Sequence, residues 1–349
     1  MSQTSVSPTS LNTVAEIRNL LKDLPGPDLK AAEAAEARQN ELTKPRGALG
    51  RLEELAIWMA TWQGRERPQL ERPYTAVFAA NHGIAAKGVS AYPSEVTAQM
   101  VANFINGGAA VNQLCGLADS DLRVFEMALD DPTHDFSEEP AMSEEEFVRA
   151  MAYGMMAVEE GLDIVALGEM GIGNTTSAAA ICTALYGGSA ADWVGRGTGV
   201  DDETLALKTR LIDQAMALHG ATMKNDPLQI LRCVGGLELA AIAGAVIAAR
   251  LARTPVVLDG YTCTAAAAVL HAVDPALLDH CVVSHRSEEP GHEALMERIG
   301  KKEIVDFGMR LGEGSGSVLA VLILRAALAC HNGMATFAEA AVSGPVEEA

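Results

Sequence analysis

The sequence is short of aromatic residues, of positive charge and of paired cysteines, and each shortage excludes something. Aromatics make up 4% of the chain, so its core must be aliphatic. Lys and Arg number 26 against 46 Asp and Glu, a formal charge of −20. Such a chain repels nucleic acid and anionic membrane surfaces. The six cysteines never fall at C-x-x-C spacing; this argues against a metal knuckle or disulfide scaffold and fits buried free thiols in a reducing compartment. The opening MSQTSVSPTS has no basic stretch leading into an apolar run, unlike a secretory signal. The most apolar helical stretch, residues 318–329, is interrupted by Arg325 and falls short of the roughly 20 residues that span a bilayer. The expectation is a cytoplasmic protein with no nucleic acid and no membrane among its partners.

What is present is hydrophobic residues, 49% of the chain, and 32 glycines. Residues 1–10 are polar and read as disordered. Residues 11–63 read as helices broken at Pro25-Gly26-Pro27 and at Lys44-Pro45-Arg46-Gly47, with apolar residues at helical spacing over 49–62. From Pro73 the texture changes. Residues 74–80, 122–128, 163–167, 255–258, 281–284 and 303–307 are short apolar runs. Several lead through a Gly-rich or polar turn into a helix. Ser143 and Glu146 form a capping-box pattern that opens a helix to about residue 160, with Gly161 as its left-handed end. Repeated strand–turn–helix units predict an α/β fold, a parallel Rossmann-like sheet flanked by helices. Ligands in such sheets bind at the carboxyl ends of the strands.

The unusual residues sit in those turns. Gly168-Glu169-Met170-Gly171-Ile172-Gly173-Asn174-Thr175-Thr176 follows a strand and opens a helix. Its glycines allow close backbone approach, and free N–H groups with two Thr hydroxyls suit a phosphate. It is neither a Walker A loop nor a dinucleotide fingerprint; an ordinary tight turn with an Asn/Thr cap also fits. Gly195-Arg196-Gly197-Thr198-Gly199 is a second flexible loop, after which Asp202 reads as a helix cap. Lys208 lies about two turns further on, where a lone lysine is usually solvated. His82 is a candidate ligand or base, and equally a structural histidine. Tyr92 and Met100 suit either an apolar slot for a flat ring or ordinary core. Ser284-His285-Arg286-Ser287-Glu288-Glu289-Pro290-Gly291-His292 tempts a metal reading, but its spacing matches no helical zinc pattern. Arg310-Leu311-Gly312-Glu313-Gly314 sets a carboxylate between glycines beside apolar residues, where desolvation raises its pKa toward that of a useful base. A helix-start acid favoured by the macrodipole fits the same pattern.

Taken in order, KPRGALGRLE (44–53), NHGIAAKGVSAYPSEVTAQMV (81–101), GEMGIGNTTSAAA (168–180), VGGLELAAIAGA (234–245), VVLDG (256–260), SHRSEEPGH (284–292) and RLGEGSG (310–316) resemble the nicotinate-nucleotide:dimethylbenzimidazole phosphoribosyltransferase family, often called CobT. The resemblance implies a homodimer and, beside the sheet, a smaller mainly helical domain. Residues 11–72 would contribute helices to that domain, 73–331 would form the α/β catalytic domain, and 332–349 would return to the small domain or form a tail. It implies nicotinate mononucleotide and a benzimidazole-type base as substrates, with no cofactor and no metal. Glu313 would take the proton of the base, with Glu169 a second acid nearby. Gly171, Gly173, Asn174, Thr175, Thr176, Lys208, Ser284 and Arg310 would hold the donor and its phosphate. Tyr92, Met100, Met170, Leu311 and Gly312 would line the acceptor pocket. Some members carry a smaller polar residue in place of Tyr92 and Gln in place of Met100, which leaves the preferred base open. The chemistry implied is attack by a ring nitrogen on C1′ and departure of nicotinate from the opposite face. A transferase acting on phenolic bases and a non-catalytic nucleotide-binding protein are the alternatives.

Overall fold

The computed structural model of the chain describes residues 11–344. The expectation of disorder at residues 1–10 lies outside the described residues. Six strands form one sheet: β1 (Pro73–Ala79), β2 (Asp121–Glu126), β3 (Ile164–Met170), β4 (Val256–Leu258), β5 (Cys281–His285) and β6 (Glu303–Val305). Every pairing is parallel, in the order β2-β1-β3-β4-β5-β6. All six expected strands are found, within three residues of their expected ends. The cause is burial. β1 is buried along its whole length, as strands covered on both faces are, and so reads as an unbroken apolar run. The edge strand β2 alternates exposed and half-buried residues.

Thirteen α-helices lie among the described residues. Before the sheet come α1 (Val14–Leu20), α2 (Leu29–Glu41) and α3 (Arg51–Gln63). Between β1 and β3 come α4 (Glu95–Ile105), α5 (Ala110–Ala118) and α6 (Glu144–Met156). Next are α7 (Asn174–Tyr186), α8 (Asp202–Met223), α9 (Pro227–Val234), α10 (Leu237–Leu251), α11 (Tyr261–Val273), α12 (Pro290–Arg298) and α13 (Ser315–Gly333). The period of two along the strands feeds two cores. Tyr74, Ala76 and Phe78 of β1, with Val165 and Leu167 of β3, join α6, α7, α10 and α11. Val77, Ile164 and Ala166 join α3, α5 and α13 on the other face. Helices α6 and α10 cross backbone to backbone, since a Cβ on Gly154 would stand 1.9 Å from the Ala241 carbonyl oxygen.

Three expectations are corrected. The helix opened by Ser143 ends at Met156, not near residue 160, and its C-cap is the right-handed Ala157. Gly161 is left-handed but lies beyond the helix, where its carbonyl accepts from Arg72. The cap of α8 is Asp201, which accepts from the Thr204 N–H at 2.9 Å, while Asp202 is the first helical residue and pairs with Arg196. α13 is 19 residues long, and by length and composition alone it is long and apolar enough to cross a bilayer. Its Val318, Val321 and Leu324 are packed against the sheet, and Arg325 donates to the Ala118 and Leu70 carbonyls. These contacts are those of a core helix.

The chain returns to its start. Leu42 and Thr336 form an antiparallel bridge, and Phe337 N–H donates to Glu41 O. Buried Arg38 donates to the carbonyls of His331, Asn332 and Met334.

Candidate active site

The strand order reverses between β1 and β3, so the chain leaving their carboxyl ends runs to opposite faces of the sheet, α5 on one and α7 on the other, and leaves a crevice. A cavity of about 630 Å³ opens there, a volume in the usual range for small-ligand sites. A second hollow of about 470 Å³ at the far end of α7 contains none of the expected site residues.

One wall is apolar. Tyr92, Val96 and Met100, on α4 and the loop before it, face Met170, Ile172 and Leu311. Tyr92 and Leu311 are more than half exposed and form the rim. Beside this wall stand Glu313 and Glu169. Glu313 is a left-handed non-glycine residue (φ 63°) between left-handed Gly312 and Gly314, a conformation that typically costs ~1–3 kcal/mol. Its surroundings hold it there. Gly314 packs on β3 so closely that a Cβ on Gly168 would stand 2.4 Å from the Gly314 nitrogen. Glu313 N–H donates to Glu169 O at 3.2 Å, and the end of β3 is thereby tied to the turn before α13.

Both carboxyls are pushed above the usual carboxylate range. Glu313 rises to about 7, through burial and then the charge of Asp259. Glu169 rises to about 8, through burial, then the charges of Asp259 and Glu238; a hydrogen bond from Asn174 opposes the rise. Near neutrality Glu169 is mostly protonated, whereas Glu313 is ionised in a substantial fraction. The pair therefore offers one base and one acid.

The other wall is polar. Gly171, Asn174, Thr175, Gly197, Thr198, Ser287 and Arg310 line it. Lys208 is not solvated as lone helical lysines usually are. It is 1% exposed, and its Nζ donates to Gly195 O at 2.8 Å and Thr175 Oγ1 at 3.3 Å. Burial lowers it to about 8, against the favourable charge of Glu289, so it remains mainly cationic at neutral pH directly behind the wall. Arg310 Nη1 donates to Gly197 O at 2.8 Å. The Gly197 N–H donates to Glu289 Oε1 at 2.9 Å, and burial raises that carboxyl.

Besides Lys208, three expected donor residues stand back from the cavity lining. Gly173 is the left-handed N-cap of α7 and shapes the turn. Thr176 is fully buried, and its Oγ1 has no hydrogen-bond partner among the described residues. Ser284 is fully buried as well, with Oγ 3.2 Å from Asp259 O and 2.9 Å from His285 Nδ1. The serine that reaches the cavity is Ser287; both belong to one polar segment, and only the end of β5 at His285 separates them.

Sequence reasoning passed over Asp259, Glu238 and Glu289 as site residues. Asp259 accepts from the N–H groups of Gly314 and Ser317, both at 3.0 Å, and so caps α13 from across the sheet. Its place at the end of an apolar strand before a glycine was the available signal. His82 is structural in its contacts: Nε2 lies 2.6 Å from Glu238 Oε1 and Nδ1 lies 3.0 Å from Ser177 Oγ. His285 and His292 turn to different partners, His292 accepting from Ser287 N–H at 2.9 Å. Among the described residues, no three His, Cys, Asp or Glu side chains are grouped to hold a metal ion.

A switch-point cavity that sets an acid–base pair on one side and a cation-backed glycine turn on the other defines a group-transfer enzyme of the nucleotide-binding α/β type. Comparison narrows the class: a phosphoribosyltransferase family model matches residues 24–342, and the chain belongs to that family. It is 57% identical over 333 residues to the nicotinate-nucleotide–dimethylbenzimidazole phosphoribosyltransferase of Ruegeria sp. (strain TM1040), covering 95% of this chain and 98% of the relative. It is 58% identical over 330 residues to the enzyme of that name from Methylocella silvestris, covering 95% and 96%. The crystal structure of CobT from Thermus thermophilus superposes with a TM-score of 0.84 at 41% identity, covering 90% of this chain and all of that one. The resemblance read from the motifs thus extends over nearly the whole chain.

Proposed function

We propose that the protein transfers the phosphoribosyl group of nicotinate mononucleotide to 5,6-dimethylbenzimidazole or a similar base. The products are nicotinate and the α-ribazole 5′-phosphate of a cobamide lower ligand. The observation that carries this reading is the meeting, in one cavity, of Glu313 with an apolar wall on one side and the Lys208-backed Thr175 turn on the other. The names borne by relatives at 57–58% identity support it.

The flat base lies against Tyr92, Met100, Met170 and Leu311. One ring nitrogen forms a bond to C1′ of the ribose, and the C1′–pyridine nitrogen bond breaks with its electron pair going to nicotinate. Attack and departure occur on opposite faces, so a β-linked donor gives an α-linked product. The second ring nitrogen carries a proton that must leave as the first becomes bonded, and the Glu313 carboxylate accepts it. Glu169, mostly protonated, adds no second charge beside it and leaves Glu313 as the carboxylate free to accept the proton. The phosphate sits at the start of α7, where Thr175, Lys208 and Arg310 offset the acidic field of the chain.

The enzyme works in the cytoplasm and as a homodimer; the exposed apolar rim at Tyr92 and Leu311 is the kind of surface a second copy covers. The deciding experiment is incubation with nicotinate mononucleotide and a panel of benzimidazole and phenolic acceptors, with products identified by mass. α-Linked benzimidazole nucleotides are expected. Phenolic products alone would make it a transferase of the other acceptor class, and no product with any acceptor would overturn the reading.

A further inference from the structure

Glu313 stands one residue before Gly314, the N-cap of α13. An acid in that place is drawn to the free N–H groups and the positive end of its own helix. Held there it would be a cap, with its negative charge favoured and its basicity reduced. In this chain the place is taken by another carboxylate. Asp259, at the end of β4, is fully buried and does not line the cavity. Its Oδ2 accepts from Gly314 N–H and its Oδ1 from Ser317 N–H, both at 3.0 Å, and it accepts from Gly316 N–H as well. Ser315 N–H goes to Gly312 O. The start of α13 is therefore filled, and among the described residues no hydrogen bond reaches the Glu313 carboxyl.

The groups around Asp259 are those that suit an anion. The Ser284 hydroxyl donates to the Asp259 carbonyl at 3.2 Å, so its oxygen accepts the Nδ1–H of His285 at 2.9 Å. The same Nδ1 lies 3.7 Å from Asp259 Oδ1. Burial raises the Asp259 carboxyl, and His285 and the three backbone donors oppose the rise. Every polar group that meets the carboxyl is an N–H, and none can take a proton from it. The turn itself needs fastening, since Gly312, Glu313 and Gly314 are left-handed in succession. Glu313 N–H is tied to Glu169 O, and the next N–H along the chain is tied to Asp259.

We propose that Asp259 is a positioning residue of the reaction: it fastens the turn that presents Glu313 and, as a fixed anion that no substrate touches, makes that carboxylate a stronger proton acceptor. The inference rests on the reading of Glu313 as the base. By filling the start of α13, Asp259 leaves Glu313 free to face the cavity. By staying charged it disfavours a second negative charge nearby, so the base holds its proton more firmly. The other groups around the pair are Glu169 on β3, Glu238 on α10, Cys263 on α11 and His285 on β5. Arg310, on the turn itself, is directed to Gly197 O. Cys263 is pushed well up by burial and stays a thiol. Glu169 also feels Asp259, but its burial and Glu238 keep it the later of the two acids to ionise.

The test is the pH dependence of kcat/KM in the parent and in Asp259→Asn, which keeps the shape and removes the charge. The parent's rising limb is expected at about pH 7. In the variant it should move down by roughly 0.5–1.5 on the pH scale, the effect of one charge acting across several ångströms of protein. Turnover on the plateau should fall by roughly 10- to 100-fold, because the weaker base is also less firmly placed. A residue with a structural role alone would lower the rate at every pH and leave the limb where it was, so an unmoved limb overturns the proposal. In a Glu313→Gln background the same change should cost less than about threefold, since the group it acts through is gone; an undiminished loss overturns it as well. If Asp259→Asn does not fold, the parent labelled with carbon-13 at its aspartate carboxyls decides. From about pH 6 to 8 every aspartate should show the chemical shift of the ionised form. One that is neutral or titrates there leaves no fixed charge, and the proposal fails. Product formed with an unmoved limb removes the role of Asp259 and leaves the reaction standing. No product from the parent with any base removes the reaction, and this role with it.

Discussion

On the acceptor side of the cavity, Glu313 stands in a tight left-handed turn and Glu169 at the end of β3, beside Met170 and Leu311. On the donor side, a lysine stands behind a threonine and two glycines. Both sides are strand-end turns of the same sheet, and burial acts on both. It raises Glu313 to about 7 and Glu169 to about 8, and it lowers Lys208 to about 8. One cause moves acids and bases toward each other, because desolvation disfavours whichever form is charged. The difference lies in the neighbours. Asp259 adds negative charge beside the acids, while Glu289 partly restores the lysine's proton.

The largest expected effect breaks the acceptor side. Glu313→Gln keeps the shape and removes the basicity, and turnover should fall by roughly 10²–10⁴, with donor affinity little changed and the circular dichroism spectrum retained. A folded variant turning over near the parent rate would pass the proton to another group, Glu169 first.

On the donor side, two adjacent threonines should behave differently. Thr175 lines the cavity and accepts from Lys208, whereas Thr176 is sealed in the core without a partner. Thr175→Val should weaken donor binding by ~1–3 kcal/mol, and Thr176→Val should leave it unchanged, both read by calorimetric titration. Equal losses would place the phosphate deeper than proposed.

Rate against pH tests the two sides together. The base must be ionised, so kcat/KM should rise through about pH 7; the lysine must be protonated, so it should fall above about pH 8. In Lys208→Met the falling limb should disappear along with donor affinity. If the limb persists, it reports Glu169 losing its proton instead.

Stability gives a smaller effect with a definite sign. The folded state raises Glu169 to about 8 from an ordinary 4.5, so it holds a proton that the unfolded chain has released. That contribution is complete below about pH 4.5 and is lost as pH rises to about 8. Glu169→Gln has no such loss. Its melting temperature should match the parent near pH 5 and exceed it by roughly 2 °C or more near pH 8.5. A constant offset at both pH values would refute the assignment.

The smallest effect is expected at the rim. Tyr92→Ser and Met100→Gln should reorder a panel of acceptors by about a few fold, as apolar pocket contacts typically do, while leaving donor KM alone. An unchanged ranking would remove both residues from the acceptor pocket.

The strands were legible because a parallel sheet buried on both faces leaves unbroken apolar runs between glycine-rich turns. The two carboxylates were legible for a related reason: glycines on either side of Glu313, and a helix start just after Glu169, are local marks. Lys208 is different. Nothing in its neighbourhood on α8 distinguishes it from a solvated lysine, and its burial follows from α8 packing on α7. Asp259 reaches the site from the end of β4, and His285 and Glu289 from the end of β5, so their meeting is a property of the sheet. Ser284 and Ser287 differ by three positions in one polar stretch, and only the end of β5 at His285 decides which faces the ligand. The helix end at Met156 was misread because residues 157–160 could extend it, yet the turn into β3 takes them.

The tie between the two ends of the chain bears on how the protein is made. Arg38 and the carbonyl of His331 that accepts from it lie 293 residues apart. At ~5–20 residues per second, a ribosome needs roughly 15–60 s to supply that partner. Throughout that interval α2 has been synthesised while the groups that will satisfy its buried guanidinium do not exist. The bonds of α2 to the end of the chain are therefore among the last to form, and the sheet and its cavity can assemble before the clasp that joins the two ends has closed.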